Sequence, residues 1–366
     1  MKVLFLEPFY GGSHKAFADG LTQNSRHRVD LCHLPARFWK WRMRGAALHF
    51  TENPENLRDY DLVIASGLMS ISDFKALAGR SLPVMAYFHE NQFSYPLSPG
   101  ERMDYQFGFT DIISALAADR VLFNSRTHME MFFSHMAAFI RIMPDFRPAW
   151  AAERIREKTF VCYPGCDIRL PEKFSERTGA PLVIWNHRWE HDKNPESFFK
   201  ALREIQSKGV EFRLALLGET FTSYPAVFDS AKNQFESRLV AFGYEPDRER
   251  YMDWLRQGAI VVSTANQENF GISVVEAAAS GCIPLVPDRL SYPEIIPAAF
   301  HDACIYKSHE QLVSKLTLLL GNHALLETER RGLADEMVKR YSWENRIGEF
   351  DRHMRETNEK SRPETG

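Results

Sequence analysis

Apolar residues fall into short continuous runs rich in Val, Ile, Leu and Phe, each followed by a stretch with helical spacing. KVLFL, RVDLCHL, DLVIAS, PVMAYF, RVLFN and TFVCYP form one set; PLVIWN, EFRLALLG, RLVAFG, AIVVST, CIPLVP and ACIYK form a second. Runs that are apolar at every position predict strands buried on both faces, and strands alternating with helices predict parallel sheets. Two such sets predict an α/β chain of two doubly wound domains in tandem. The polar, aperiodic stretch Arg169–Pro181 separates them. The predicted division is therefore a first domain over 1–168, a linker over 169–181, a second domain over 182–340, an amphipathic C-terminal helix over 341–356 able to cross back, and a frayed tail over 357–366. Ser13, Asn194-Pro195 and Ser342 read as helix starts.

The length of 366 residues fits about two domains. Hydrophobic residues at 44% and aromatics at 13% exclude a disordered chain, and a net charge of −3 a uniformly basic nucleic-acid binder. The average conceals an asymmetry. Residues 1–165 hold 19 Lys and Arg against 17 Asp and Glu, a net of +2, and the remainder holds 26 against 31, a net of −5. An anionic polymer would meet the first half more easily. No apolar run reaches the ~18 residues of a membrane helix, and Glu7 interrupts the opening run too early for a signal peptide. Five scattered cysteines fit a reducing cytoplasm better than a disulfide framework. Cys162 and Cys166 read either as a strand end with a turn or as half of a metal site with no second pair.

Ligands of open α/β sheets bind beyond the carboxyl ends of strands, so polar residues there are the candidates for chemistry. After AIVVST comes QENFGISVVEAAASGCIP, with Glu268 and Glu276 flanking Asn269, Phe270 and Gly271. Gly271 is placed to open a helix whose N–H groups suit a diphosphate. Glu276 on that helix can accept from ribose hydroxyls and Glu268 from a sugar; ordinary helix-flanking acids are the alternative. After PLVIWN, Arg188 and Lys193 can grip phosphate oxygens and stabilise a departing nucleoside diphosphate, or form a surface ion-pair patch with Glu190, Asp192 and Glu196. Gly218 ends another strand in a turn. Gly243 and Tyr244 end a third, where the tyrosine either faces a nucleobase or is buried.

In the first half, Gly11 and Gly12 turn the first strand into a helix, with Ser13 and His14 following. His89, Glu90, Asn91 and Gln92 lie just past PVMAYF, where a histidine can hydrogen-bond a sugar and support charge at its anomeric carbon; the alternative is a structural histidine. In PARFWKWRMRGAALHF, Arg37, Lys40, Arg42 and Arg44 interleave with Phe38, Trp39 and Trp41, with no acid between Asp30 and Glu52. That pattern suits single-stranded nucleic acid, the cations meeting phosphates and the rings meeting bases; the alternative is a loop with packed tryptophans. Arg147, Arg154, Arg156 and Lys158 extend the basic character.

The order of the second-half elements resembles the family 4 retaining glycosyltransferases of GT-B architecture, two Rossmann-like domains facing each other across a cleft. The resemblance implies that Arg188 and Lys193 stabilise the leaving diphosphate, that Glu268 contacts the donor sugar and Glu276 the ribose. It further implies that the Gly11-Gly12 turn faces the donor and that His89 lies near the reacting carbon. His187 stands where the family carries glycine. Over about residues 1–350, FLEPFYGGSHK, LPARFWKWRMR, FHENQFSYP, FNSRTHMEMFF, MPDFRP, HRWEHDKNPESFF and LGETFT together resemble the tRNA-queuosine α-mannosyltransferases. What this implies is metal-independent, retaining transfer of mannose from GDP-mannose to the cyclopentenediol of queuosine in the anticodon of a tRNA for aspartate. The donor side is then Gly11, Gly12, Arg188, Lys193, Gly218, Gly243, Tyr244, Asn269, Phe270, Gly271 and Glu276. The tRNA side is Ser13, His14, Arg37, Trp39, Lys40, Trp41, Arg42, Arg44, Glu90, Asn91, Gln92 and Arg147. The expected partners are tRNA and a nucleotide sugar, with no membrane. Alternatives are a family 4 transferase with a glycan or lipid acceptor, an inactive scaffold that binds RNA, and a GT-B epimerase or phosphorylase.

Overall fold

In the computed structural model, which describes residues 1–93, 104–174, 176–220 and 224–360, all twelve apolar runs are strands. Ser94, Tyr95 and Pro96 of FHENQFSYP, Ser175 of the polar join, Phe221 and Thr222 of LGETFT, and residues 361–366 lie outside the described residues.

The chain divides into two compact units. Unit 1 comprises Met1–Asp167 and the segment from Trp343 onward, and unit 2 comprises Ile168–Ser342. Unit 1 contains β1 (Lys2–Tyr10), β2 (Arg28–Pro35), β3 (Leu62–Ser66), β4 (Val84–Phe88), β5 (Arg120–Phe123) and β6 (Thr159–Val161), in the order β2-β1-β3-β4-β5-β6. Unit 2 contains β7 (Leu182–Trp185), β8 (Arg213–Leu216), β9 (Leu239–Phe242), β10 (Ile260–Val262), β11 (Ile283–Pro287) and β12 (Ile305–Tyr306), in the order β12-β11-β10-β7-β8-β9. Every pairing between these strands is parallel. The central strands β3, β4, β7, β10 and β11 are buried at every residue, as helices on both faces require. Strand order reverses beside β1 in unit 1 and between β7 and β10 in unit 2, the positions at which open α/β sheets take ligands.

The polar join is anchored to unit 2. The Phe174 ring lies 4.5 Å from the Arg330 guanidinium, and Arg177 donates to the carbonyls of Gly258 and Gly281. The helix after Ser342, Trp343–Lys360, packs on unit 1 through Trp343, Ile347, Phe350 and Met354. Asp351 accepts from the Ser25 hydroxyl (2.7 Å) and the Arg26 N–H (3.2 Å), and Glu356 pairs with buried Arg120 (2.8 Å). This helix runs through Lys360, beyond the predicted 356, because Thr357 and Asn358 are buried on its inner face. No helix among the described residues is long and apolar enough to cross a membrane.

Candidate functional site

The loop after β7 and the loop after β10 meet at the reversal point of the second sheet. Lys193 joins them. Its Nζ donates to the Gln267 carbonyl at 2.7 Å and lies 3.5 Å from Glu268 and 3.2 Å from Asp192. Burial disfavours the ammonium, but the two carboxylates outweigh it and hold Lys193 above the ordinary lysine pKa. Arg188 has its side chain 41% exposed and pairs with Glu190 at 3.0 Å. Burial raises the Glu190 pKa. One cation is thus locked in the frame and the other is presented toward solvent.

Gly271 takes φ +94°, a conformation strained for any L side chain, and opens the helix Ile272–Ala279. Its carbonyl accepts from the Val274 and Val275 N–H groups, so those of Ile272 and Ser273 stand ahead of the helical bonds, at the helix end that suits an anion. Buried Glu276 accepts from Arg248 at 2.7 Å and from the Tyr251 hydroxyl at 3.2 Å. The Asn186 amide donates to Tyr251 (3.0 Å) and to the Ser273 carbonyl (2.8 Å). Arg248, Tyr251 and Asn186 were not singled out from sequence, since nothing in a helical RERYMDW pattern marks which residue will reach Glu276; Asn186, a polar residue ending an apolar strand, carried the only local signal.

Gly218 fits close packing. A Cβ there would sit 1.7 Å from the His187 carbonyl, and Trp189 N–H donates to Glu219 O (2.9 Å), so the loops after β7 and β8 are zipped together. His187, in place of the family's glycine, is buried with Nδ1 3.3 Å from the Ser273 hydroxyl. Burial, with Lys193 adding to it, lowers its pKa to about 3. Phe270 is turned into the core against Tyr341 (ring centroids 5.3 Å), and the Asn269 amide oxygen accepts from Gln267. Gly243 takes φ +117°, and Tyr244 is 58% exposed, which removes the buried alternative.

In unit 1 a charged cluster sits at the ends of β1 and β4. Glu7 is fully buried; its Oε1 accepts from the Phe9 N–H (2.8 Å) and faces His14 Nδ1 at 3.2 Å. His14 Nε2 lies 3.8 Å from Glu90, and the His14 ring lies 4.1 Å from that of His89. Asn124 donates to the His89 carbonyl (2.9 Å), and its amide oxygen meets His128 Nδ1 (2.7 Å). The Asp111 carboxylate accepts from the Gln92 N–H (2.7 Å), and the Asn91 amide oxygen from the Phe93 N–H (3.1 Å). Burial opposes charge on His14, but Glu7 and Glu90 raise its pKa to about 10. Burial, then the His14 charge, push His89 well below the ordinary value, and burial takes His128 to about 3. Glu7, His14 and His89 bring ligand atoms within 4.8 Å of one another. Glu7 escaped sequence reasoning although an acid inside a buried strand is itself a signal.

Ser13 does not cap its helix. The two glycines turn the chain so sharply that Gly11 is the N-cap and the helix begins at Gly12, leaving Ser13 exposed in the first turn. A Cβ on Gly11 would meet Ala36 Cβ at 2.4 Å, so this turn lies tight against the chain after β2. The basic–aromatic stretch is the helix Trp39–Phe50, and it divides its rings. Trp39 packs on Phe107 (5.1 Å), whereas Trp41 is 80% exposed. Arg37, Lys40 and Arg44 are exposed and Arg42 is half-buried. Arg44 donates to Thr110 (3.2 Å), and exposed Arg147 donates to the Met143 carbonyl (3.1 Å).

The buried histidines predict a pH profile of stability. His89, His128 and His187 have lowered folded pKa values, so the unfolded chain binds more protons and stability falls as pH drops below about 6.5. His14 acts oppositely. Its contribution is full below about 6.5 and is lost as pH rises toward about 10. The urea midpoint should be highest near neutral pH and fall on both sides; a flat profile from about pH 7 to pH 5 would contradict the neutral, buried state of the three histidines.

Two doubly wound domains, with a basic pair and a glycine-opened helix at the second sheet's reversal point, are the arrangement of a GT-B glycosyltransferase. Residues 168–332 match the glycosyl transferases group 1 family model, and residues 2–166 match that of the tRNA-queuosine alpha-mannosyltransferase N-terminal region. The chain is 36% identical over 327 residues to the tRNA-queuosine alpha-mannosyltransferase of Drosophila melanogaster, covering 86% of this chain and 85% of that one, and it belongs to this family. It is 22% identical over 242 residues (65% of this chain, 58% of that one) to the GDP-mannose:cellobiosyl-diphosphopolyprenol alpha-mannosyltransferase of Xanthomonas oryzae pv. oryzae. Among solved structures, sucrose-phosphate synthase from Thermosynechococcus elongatus superposes with TM-score 0.77 over 99% of this chain and 100% of that one at 13% identity.

Proposed function

We propose that the protein transfers mannose from GDP-mannose, with retention, to the cyclopentenediol of queuosine at the wobble position of an aspartate tRNA. The observation that carries this reading is the likeness, along both units, to the Drosophila enzyme; the name of the Xanthomonas relative supports the donor. Arg188 and the N–H groups after Gly271 meet the diphosphate, Glu276 accepts from the ribose, Tyr244 lies against the base, and Glu268 accepts from a mannose hydroxyl. The queuosine hydroxyl attacks the anomeric carbon from the face the diphosphate leaves. The new C–O bond forms as the bond to phosphate breaks, and the hydroxyl proton passes to the departing diphosphate. Arg188 and Lys193 oppose the charge that develops there. No metal has a place in this scheme, because these cations take that part.

Purified protein, incubated with GDP-mannose and queuosine-containing tRNA, should add one hexose to queuosine as read by nucleoside mass spectrometry. No mass gain with any common nucleotide sugar would refute the reading. Replacing Arg37, Arg42 and Arg44 together with alanine should weaken tRNA binding and flatten its salt dependence; an unchanged slope would place the phosphate contacts elsewhere.

A further inference from the structure

Backbone strain and exposure coincide at two phenylalanines of unit 1. Phe38 takes φ +56° and is 68% exposed; Phe146 takes φ +46° and is 89% exposed. The left-handed region is unfavourable for a bulky L residue, and neither ring recovers that cost by burial. Local ties nonetheless hold both. The Phe38 carbonyl accepts from the Trp41 and Arg42 N–H groups (2.9 and 3.1 Å). The Phe146 N–H donates to Asp145 (2.8 Å), between Pro144 and Pro148, whose rings restrict the loop. Each ring is thereby presented outward by a stiff backbone.

Contacts along one helix connect the two segments. Trp39, next to Phe38, packs on Phe107 of the helix Tyr105–Ala117. Half-exposed Tyr105 begins that helix and lies 5.9 Å from Phe139, in the last turn of the helix Arg126–Ile142 that leads to Phe146. Buried Asp111 of the helix Tyr105–Ala117 holds the Gln92 N–H, three residues after His89. Cations accompany the rings. The Arg37 guanidinium lies 5.8 Å from the Phe38 ring, Arg147 follows Phe146, and Arg154 lies 4.9 Å over half-exposed Trp150. Segment 141–156 carries four arginines against Asp145 and Glu153. Separate rings interleaved with cations do not make the continuous apolar patch of a protein interface. They match unstacked bases on a phosphate chain.

We propose that Phe38 and Phe146 are two base-stacking rings of a single-stranded RNA platform on unit 1, spanning the region between the helix Trp39–Phe50 and the loop before Trp150, and occupied by a tRNA loop. This rests on the proposed tRNA acceptor and extends its contact surface beyond the Arg37–Arg44 stretch.

The test uses the full-length protein and, as probes, an unmodified anticodon stem-loop transcript and a fully duplex RNA of equal length, with affinity read by fluorescence anisotropy at several salt concentrations. Phe38→Gly and Phe146→Gly remove ring and strain together. Each should weaken stem-loop binding on the order of 10-fold, leave the salt slope and duplex binding unchanged, and keep or raise the melting temperature. Phe146→Trp should restore the affinity. A lower melting temperature with wild-type affinity would make the rings structural and overturn the platform. So would loss of self-association by sedimentation in place of loss of RNA binding. Wild-type protein that binds the stem-loop while both glycine variants bind it equally well overturns the platform alone. Wild-type protein that binds no RNA overturns the platform and the tRNA acceptor together.

Discussion

Arg188→Ala should lower turnover by roughly 10²–10³-fold with the melting temperature unchanged, whereas Lys193→Ala should also destabilise unit 2 by roughly 3–5 kcal/mol. The two cations are five residues apart on one loop but stand in different surroundings. The Arg188 side chain is 41% exposed, and its partner Glu190, at 31%, keeps access to water when Arg188 is lost. That of Lys193 is 9% exposed, and its removal leaves Asp192 and Glu268 facing each other without a counter-ion. Thermal melts and single-turnover kinetics with a radiolabelled nucleotide sugar separate the effects. Near-wild-type turnover in Arg188→Ala would remove it from the leaving-group side, and a stable Lys193→Ala would show that the carboxylates are not held as a buried cluster. Glu276→Ala is expected to lose turnover as well, because Arg248 and Tyr251 orient that carboxylate.

Glu7→Gln should cost roughly 3–5 kcal/mol at neutral pH, since it keeps the shape but takes the counter-ion from a buried imidazolium. His14 then has only the more distant Glu90 to oppose its burial. Its folded pKa should fall from about 10, and the charge beside His89 should disappear near neutral pH. The His14 ring proton resonance followed against pH reads this directly, and urea unfolding reads the stability. An unaltered titration and unaltered stability would mean that Glu7 is not the group that keeps His14 charged.

Much of the fold is legible in the sequence because burial on both faces writes itself into consecutive residues. Val183 and Ile184 of β7 and Ile260, Val261 and Val262 of β10 are each apolar because no position faces water. Helix starts were legible where the cap is a side chain, as at Asn194, which accepts from the Ser197 N–H at 3.4 Å. They were misread where the backbone alone makes the turn, as at Gly11, Gly12 and Ser13. The polar join looked like a free linker because one phenylalanine and one arginine do not stand out in a polar stretch, although Phe174 and Arg177 anchor it.

The sequence by itself determined both parallel sheets, the strand-end positions of Arg188, Lys193, Glu268, Gly271 and His89, and the family resemblance, because each is carried by neighbouring residues. The tertiary structure alone decided the electrostatics. Lys193 meets Glu268 across 75 residues because the order β12-β11-β10-β7-β8-β9 brings the ends of β7 and β10 side by side, and Arg248 meets Glu276 across 28 because the helices that carry them pack together. It also decided exposure, half-burying Trp39 against Phe107 while turning Trp41 outward two residues later. A local pattern sets which residues line a strand or helix. Which charges neutralise one another, and which rings remain in water, depends on elements far apart in the chain.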